Sequence, residues 1–284
     1  MISLCVVLVM NLAAAGQAIP ALPFPEPKTV AEFMKGMESD TTGVYFVALA
    51  DPHPRKAETF LRAAQKQAPS RQRWAVMAAV LFDIERSNAS RLPAAARAAV
   101  FQHALTYLQE WHDLTAAALK SAPTDKQLVE TLPSLKSDLA VAALEAGQLD
   151  AARKHATEAL AANTDTKNWN YGNVVDAMNQ VLGRAALRQG NRDEARRALL
   201  AAGATPGSPQ LNSYGPTFVL AREMLGKGEK DVVLQYLDSV GKFWGHDDPK
   251  RPQRRALVAE QAALLAKWRQ EIRAGKIPTD VNWR

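Results

Sequence analysis

From Thr29 onward, apolar residues recur every three or four positions between short polar breaks, the spacing of one helix face. Thr29-Val-Ala-Glu32 is a capping box that predicts a short helix to about Glu38. Gly43 to Ala50 is continuously apolar and fits a strand or a buried helix equally. Pro54 suits the first turn of a helix running to about Gln67. Ser70 is placed to cap the next helix, whose stretch Trp74 to Phe82 is apolar on every side and predicts enclosure by other helices. Leu92 to Ser121 reads as one long helix with Pro93 at its start. Thr124-Asp-Lys-Gln127 opens another, which Pro133 is expected to end or kink.

A repeat follows. Leu139-Ala140, Leu182-Gly183 and Leu220-Ala221 occupy one pair of slots. Gly147, Gly190 and Gly228 follow in identical register, then Ala152, Ala195 and Val233, then Ala156, Leu199 and Leu237. A helix, a glycine turn needing positive φ and a second helix with small contact residues describe a tetratricopeptide-like pair. The predicted fold is all-α: antiparallel helix pairs at about 134–162, 173–202 and 214–243, stacked as a right-handed solenoid. A final helix from about Arg251 to Arg273, charged on one side, is the expected cap. The copies are 43 and 38 residues apart against a usual period of about 34, so two loops are longer than standard, 163–173 and 205–216.

Composition agrees with helices: 51 alanines and only 7% aromatic residues favour helix over strand. The net charge of +6 is concentrated after residue 248, where nine basic residues meet three acidic ones. Such a segment suits an acidic partner or peripheral contact with anionic lipid, although a solvated helix face with local ion pairs explains it too. No basic stripe with interleaved aromatics and no helix-turn-helix or zinc-finger pattern points to nucleic acid. Ile2 to Met10 is almost wholly apolar, and Gly16-Gln17-Ala18 has small residues where a signal peptidase wants them. The expected organisation is a signal peptide over 1–18, a Pro-punctuated linker over 19–27, an N-terminal helical region over 28–122 and the repeats with their cap over 123–284. No Lys or Arg precedes Lys28, which departs from an ordinary leader. Cleavage after Ala18 removes Cys5, the one cysteine, and places the chain in the periplasm or outside the cell.

The run Leu182-Gly-Arg-Ala-Ala-Leu-Arg-Gln-Gly190, the loop Pro-Gly-Ser-Pro-Gln-Leu-Asn-Ser-Tyr-Gly-Pro over 206–216 and the closing Lys242-Phe-Trp244 resemble a bacterial family of tetratricopeptide-like proteins. That family has the same loop, with Phe or Tyr at the aromatic position, and a Lys-Phe-Trp ending. The likeness spans roughly residues 125 to 284. The family has no assigned activity, so the resemblance implies a fold and no catalytic residue. The region over 28–122 resembles no family.

Enzyme signatures are absent from the sequence: no Walker loop, no Gly-x-Ser-x-Gly elbow and no His-Glu-x-x-His. The five histidines include no i, i+4 pair, so no metal or cofactor is expected. His112 and Asp113 diverge by about 100° on a helix and cannot easily share a ligand. His246-Asp-Asp, in a loop, can hold a metal only loosely and is more simply a polar turn before Pro249. The two long loops are the better site candidates. Trp169, Tyr171 and Asn173 on one, with Gln210, Asn212, Ser213 and Tyr214 on the other, suit a neutral hydrogen-bonding ligand such as a peptide backbone or sugar. The competing reading is that the amides fasten the loops themselves. Phe46, Trp74, Met77, Phe82, Phe101, Tyr107 and Trp111 line an apolar gap if one exists, and are core otherwise. The expected function is a non-enzymatic adaptor or scaffold for a protein or peptide partner, with an envelope complex as one setting. The alternative is a periplasmic carrier holding an apolar small molecule, a lipid or terpenoid, between helices.

Overall fold

The computed structural model describes residues 26–39, 44–68, 73–246 and 252–279. The leader, most of the linker, the Ser70 cap and Asp247-Asp248 lie outside these residues. Among the described residues every regular element is helical: thirteen α-helices and one 3-10 turn. None of these helices is long and apolar enough to cross a membrane. The chain divides into two compact units, Met1–Gly147 and Gln148–Arg284.

The first unit holds α1 (Val30–Ser39), α2 (Val44–Ala50), α3 (Pro54–Gln67), α4 (Arg73–Ala89), α5 (Ala94–Ser121) and α6 (Lys126–Glu145). The capping box opens α1 in slightly shifted form. Thr29 Oγ1 accepts the Glu32 N–H at 3.2 Å, and Glu32 reaches back to the N–H of Lys28 at 2.7 Å. The ambiguous segment resolves as helix α2, its residues buried from Tyr45 to Ala50. Helix α6 is capped by Asp125 rather than Thr124, the carboxylate accepting the N–H groups of Gln127 and Leu128. It also continues past Pro133, so of the expected end or kink the end does not occur there. Leu128 before the proline and Leu135 and Leu139 after it are all buried, so docking on both sides carries the helix across one missing bond. Phe33 centres the core. Its ring stacks with Phe60 at 5.3 Å and lies 6.2 Å from Trp74 and 6.4 Å from Phe46.

The second unit holds α7 (Leu149–Ala162), α8 (Tyr171–Arg188), α9 (Arg192–Gly203), α10 (Pro209–Tyr214), α11 (Val219–Leu225), α12 (Lys230–Val240) and α13 (Arg255–Arg273). Helix α8 is central, packed against α7, α9, α10 and α11, while α12 joins α9, α11 and α13. Small residues set the closeness: a Cβ on Gly183 would stand 2.3 Å from Leu220 Cδ2 and 3.2 Å from Ala198 Cβ. Gly190 and Gly228 take φ of +83° and +82° in the turns after α8 and α11. Each turn closes with the 6→1 bond of a glycine C-cap, from Asn191 N–H to Ala186 and from Glu229 N–H to Met224. Helix α11 is shorter than the expected span from 214, because Gly215-Pro216 intervenes. Phe218, Tyr236, Trp244 and Trp268 close the lower core, with Phe218 and Trp268 ring centres 5.2 Å apart.

Candidate functional site

The two long loops meet. Gly172, in the first turn of α8, lies so close to the second loop that a Cβ there would be 2.0 Å from the carbonyl oxygen of Gly207. Thr205 Oγ1 donates to the Gly172 carbonyl at 2.9 Å. Asn173 is the main link: its Nδ2 donates to Gln210 Oε1 at 3.3 Å and to Asn170 Oδ1 at 2.8 Å, and its Oδ1 accepts from Ser208 Oγ at 2.5 Å. Ser208 also caps α10, accepting the Leu211 N–H at 3.0 Å.

The other polar members are tied down through their backbones. The carbonyl of Tyr171 accepts from Asn163 Nδ2 at 3.0 Å. The carbonyl of Asn212 accepts from Arg254 at 2.7 Å, and that of Ser213 from Gln261 Nε2 at 3.0 Å. Asn212 Oδ1 is buried against Gly207 without a hydrogen-bond partner. The amides of this region therefore fasten one loop to the other and to α13. Trp169 and Tyr214 are different, with 60% and 68% of their surface exposed. An aromatic anchor on each of two mutually locked loops is an arrangement that can grip a partner.

Beneath the second loop lies a buried polar cluster that the hydrophobic pattern did not single out. Asp176 and Gln180 on α8 are each 3% exposed. Gln180 Nε2 donates to the Thr217 carbonyl at 2.9 Å and lies 3.3 Å from Tyr236 Oη, while its Oε1 accepts the Leu220 N–H at 3.3 Å. Burial pushes the Asp176 carboxyl up to about 7, with Gln180 and the Thr217 backbone opposing it only in part. Burial, and then the Asp176 charge, hold the Tyr236 phenol far above its ordinary range.

The first unit contains a second cluster unforeseen in the sequence, on α3, α4 and α5. Glu58 accepts from Arg62 at 2.9 Å, meets His103 Nε2 at 2.7 Å and pairs with Arg55 at 3.3 Å. Glu85 pairs with the same Arg55 at 3.0 Å and accepts from Tyr107 Oη at 2.7 Å. Arg62 also pairs with Glu110. Burial raises both carboxyls. At Glu58 the bonds from His103 and Arg62 outweigh it and the net shift is downward, whereas at Glu85 burial prevails over Tyr107 and Arg55. Opposed shifts in neighbouring acids are a feature of acid–base sites. Here, however, every oxygen of both carboxylates already carries a partner, which is the arrangement of a three-helix staple.

Phe46, Trp74, Phe82, Phe101, Tyr107 and Trp111 are buried to within 3% of completely, and Met77 packs against them partly exposed. Core packing accounts for each, with Phe82 and Phe101 edge to face at 6.1 Å. His112 Nδ1 lies 3.0 Å from Asp113 Oδ1, so the two adjacent side chains engage each other. Among the described residues no group of three or more His, Cys, Asp or Glu is placed to hold a metal ion. No family model matches this chain, and neither a curated protein nor a solved structure does.

Proposed function

We propose that the protein is a non-enzymatic binding module, an adaptor that holds an extended protein or peptide partner along the loop edge of its second unit. The observation that carries this reading is the exposure of Trp169 and Tyr214 on loops locked to each other through Asn173, Ser208 and Gln210. Exposed rigid aromatics gain contact area at little entropic cost, and the locked loops are pre-organised to present them. The glycine turns at 190 and 228 and the close α8–α9 approach support stacking of tetratricopeptide-like pairs in this unit, in line with the family resemblance. The leader sequence supports export to the periplasm or medium. The basic C-terminal segment supports peripheral attraction to anionic lipid. No observation comparable to the paired aromatics favours the carrier reading, because its apolar residues are spent on the core.

Peptides selected from a random library on the immobilised protein test the reading. The selected peptides should lose about thirtyfold or more in affinity for a Trp169→Ala/Tyr214→Ala variant whose helical circular dichroism is unchanged, the loss typical of two binding hot spots. Equal affinity for both proteins would overturn it. A lipid or terpenoid co-purifying in native mass spectrometry would instead establish the carrier.

A further inference from the structure

The stem of the second loop is fastened to the helices below it through three buried side chains. Gly215, at φ +81°, turns the chain out of α10, and Pro216 offers no N–H. Thr217 is then gripped from both sides. Its carbonyl accepts from Gln180 Nε2 at 2.9 Å and from Tyr236 Oη at 3.2 Å, and the same Gln180 Nε2 stands 3.5 Å from Asp176 Oδ1. Three residues on, the Leu220 N–H returns to Gln180. The Asp176–Gln180–Tyr236 cluster therefore decides where residues 215–220 sit, and α10 with Tyr214 lies directly before them.

Among the described residues no cation is seen to shift the Asp176 carboxyl: burial raises it, and Gln180 and the Thr217 backbone lower it. Tyr236 of α12 is the titratable side chain that faces it. Several charged groups on the helices packed around α8 pair with one another. Arg153 of α7 meets Glu194 of α9, Arg184 of α8 meets Glu223 of α11, and Arg196 of α9 meets Glu229 at the start of α12. A carboxylate formed in this place is an uncompensated interior charge, which a protein relieves by protonation or by opening to water.

We propose that the proton on Asp176 governs the loop edge: bound, it keeps residues 215–220 docked; released to solvent, it lets them detach and the edge carrying Tyr214 loosens. The purpose of this switch rests on the binding reading above, but its mechanism does not.

Amide hydrogen exchange on the unliganded full chain, followed from pH 5 to pH 8.5, tests it. Opening returns the carboxyl from about 7 to its ordinary 3.8, so opening becomes easier as pH rises between those values. Protection of the Thr217 and Leu220 amides, after correction for intrinsic exchange, should fall about tenfold per pH unit up to pH 7 and then level off. In Asp176→Asn it should stay flat. Flat protection in the wild type overturns the proposal, as does an equal fall at the amides of α9, which would mark unfolding of the whole unit. The wild-type titration decides the matter even if Asp176→Asn does not fold. Since no ligand is present, failure of the peptide test leaves this readout intact, and a flat profile leaves the peptide test intact.

Discussion

Tyr107 shows how much one hydroxyl can govern in a helical core. It is fully buried, and its Oη donates to Glu85 across the α4–α5 packing. Tyr107→Phe keeps the ring and removes the donor, leaving a buried carboxylate oxygen unpaired. The expected loss is about 1–3 kcal/mol, read by urea denaturation. It carries a pH signature. The folded Glu85 carboxyl is already raised, so its ionisation counts against the folded state as pH climbs past the ordinary carboxyl range. Without the Tyr107 donor that penalty grows, and the variant should lose more at pH 8 than at pH 5. Equal losses at both would show that Glu85 is not the group affected. Glu58 behaves oppositely: its net shift is downward, so its contribution is present at neutral pH and lost on acidification through its folded value.

At the scale of elements, what the chain encodes locally was readable and what packing decides was not. Caps, glycine turns and apolar periodicity located most helix ends, because those signals act within four or five residues. Helix α2 was ambiguous since a short run buried on all sides has no periodicity to read. Pro133 does not end its helix because the burial of Leu128, Leu135 and Leu139 outweighs one local penalty. The meeting of the two loops followed from repeat spacing, yet the use of their amides did not, since Asn173 finds Gln210 and Ser208 only after α8 and α10 have docked. Asp176 and Gln180 lie four apart in the otherwise apolar stripe of α8, the one local hint of their burial; its completeness depends on a segment about 40 residues away. Gly172 tests the loop junction directly. Alanine there gains about 1 kcal/mol of helix propensity but drives a methyl into the Gly207 backbone, which cannot swing aside as a side-chain tip can. Gly172→Ala should destabilise by about 1–3 kcal/mol net in urea denaturation. Gly226→Ala, whose added methyl would meet nothing nearer than 3.4 Å, is the near-neutral control. A stable Gly172→Ala protein would mean that the loops are not in contact.

For the whole molecule, the basic excess after residue 248 is partly spent on assembly. Arg254 holds the Asn212 carbonyl, and Arg269 holds both Asp238 and the Leu237 carbonyl, binding α13 to its unit. The packing order has a further consequence, and it concerns time. In each unit most helices rest on the one before or after them in the chain, as α5 does on α6 and α8 on α9, and the longer closures, α9 to α12 and α8 to α11, span only a few dozen residues. Chains built from such nearby contacts pay little loop-closure entropy before contacts repay it. After dilution from urea, helical circular dichroism should therefore return within about milliseconds, ahead of the near-ultraviolet signal from the buried tryptophans. A single slow phase shared by both signals would contradict this. On that clock the first unit can finish folding before the last helices have left the ribosome, and the loop edge, held by Arg254 and Gln261, is fastened only once those residues have emerged.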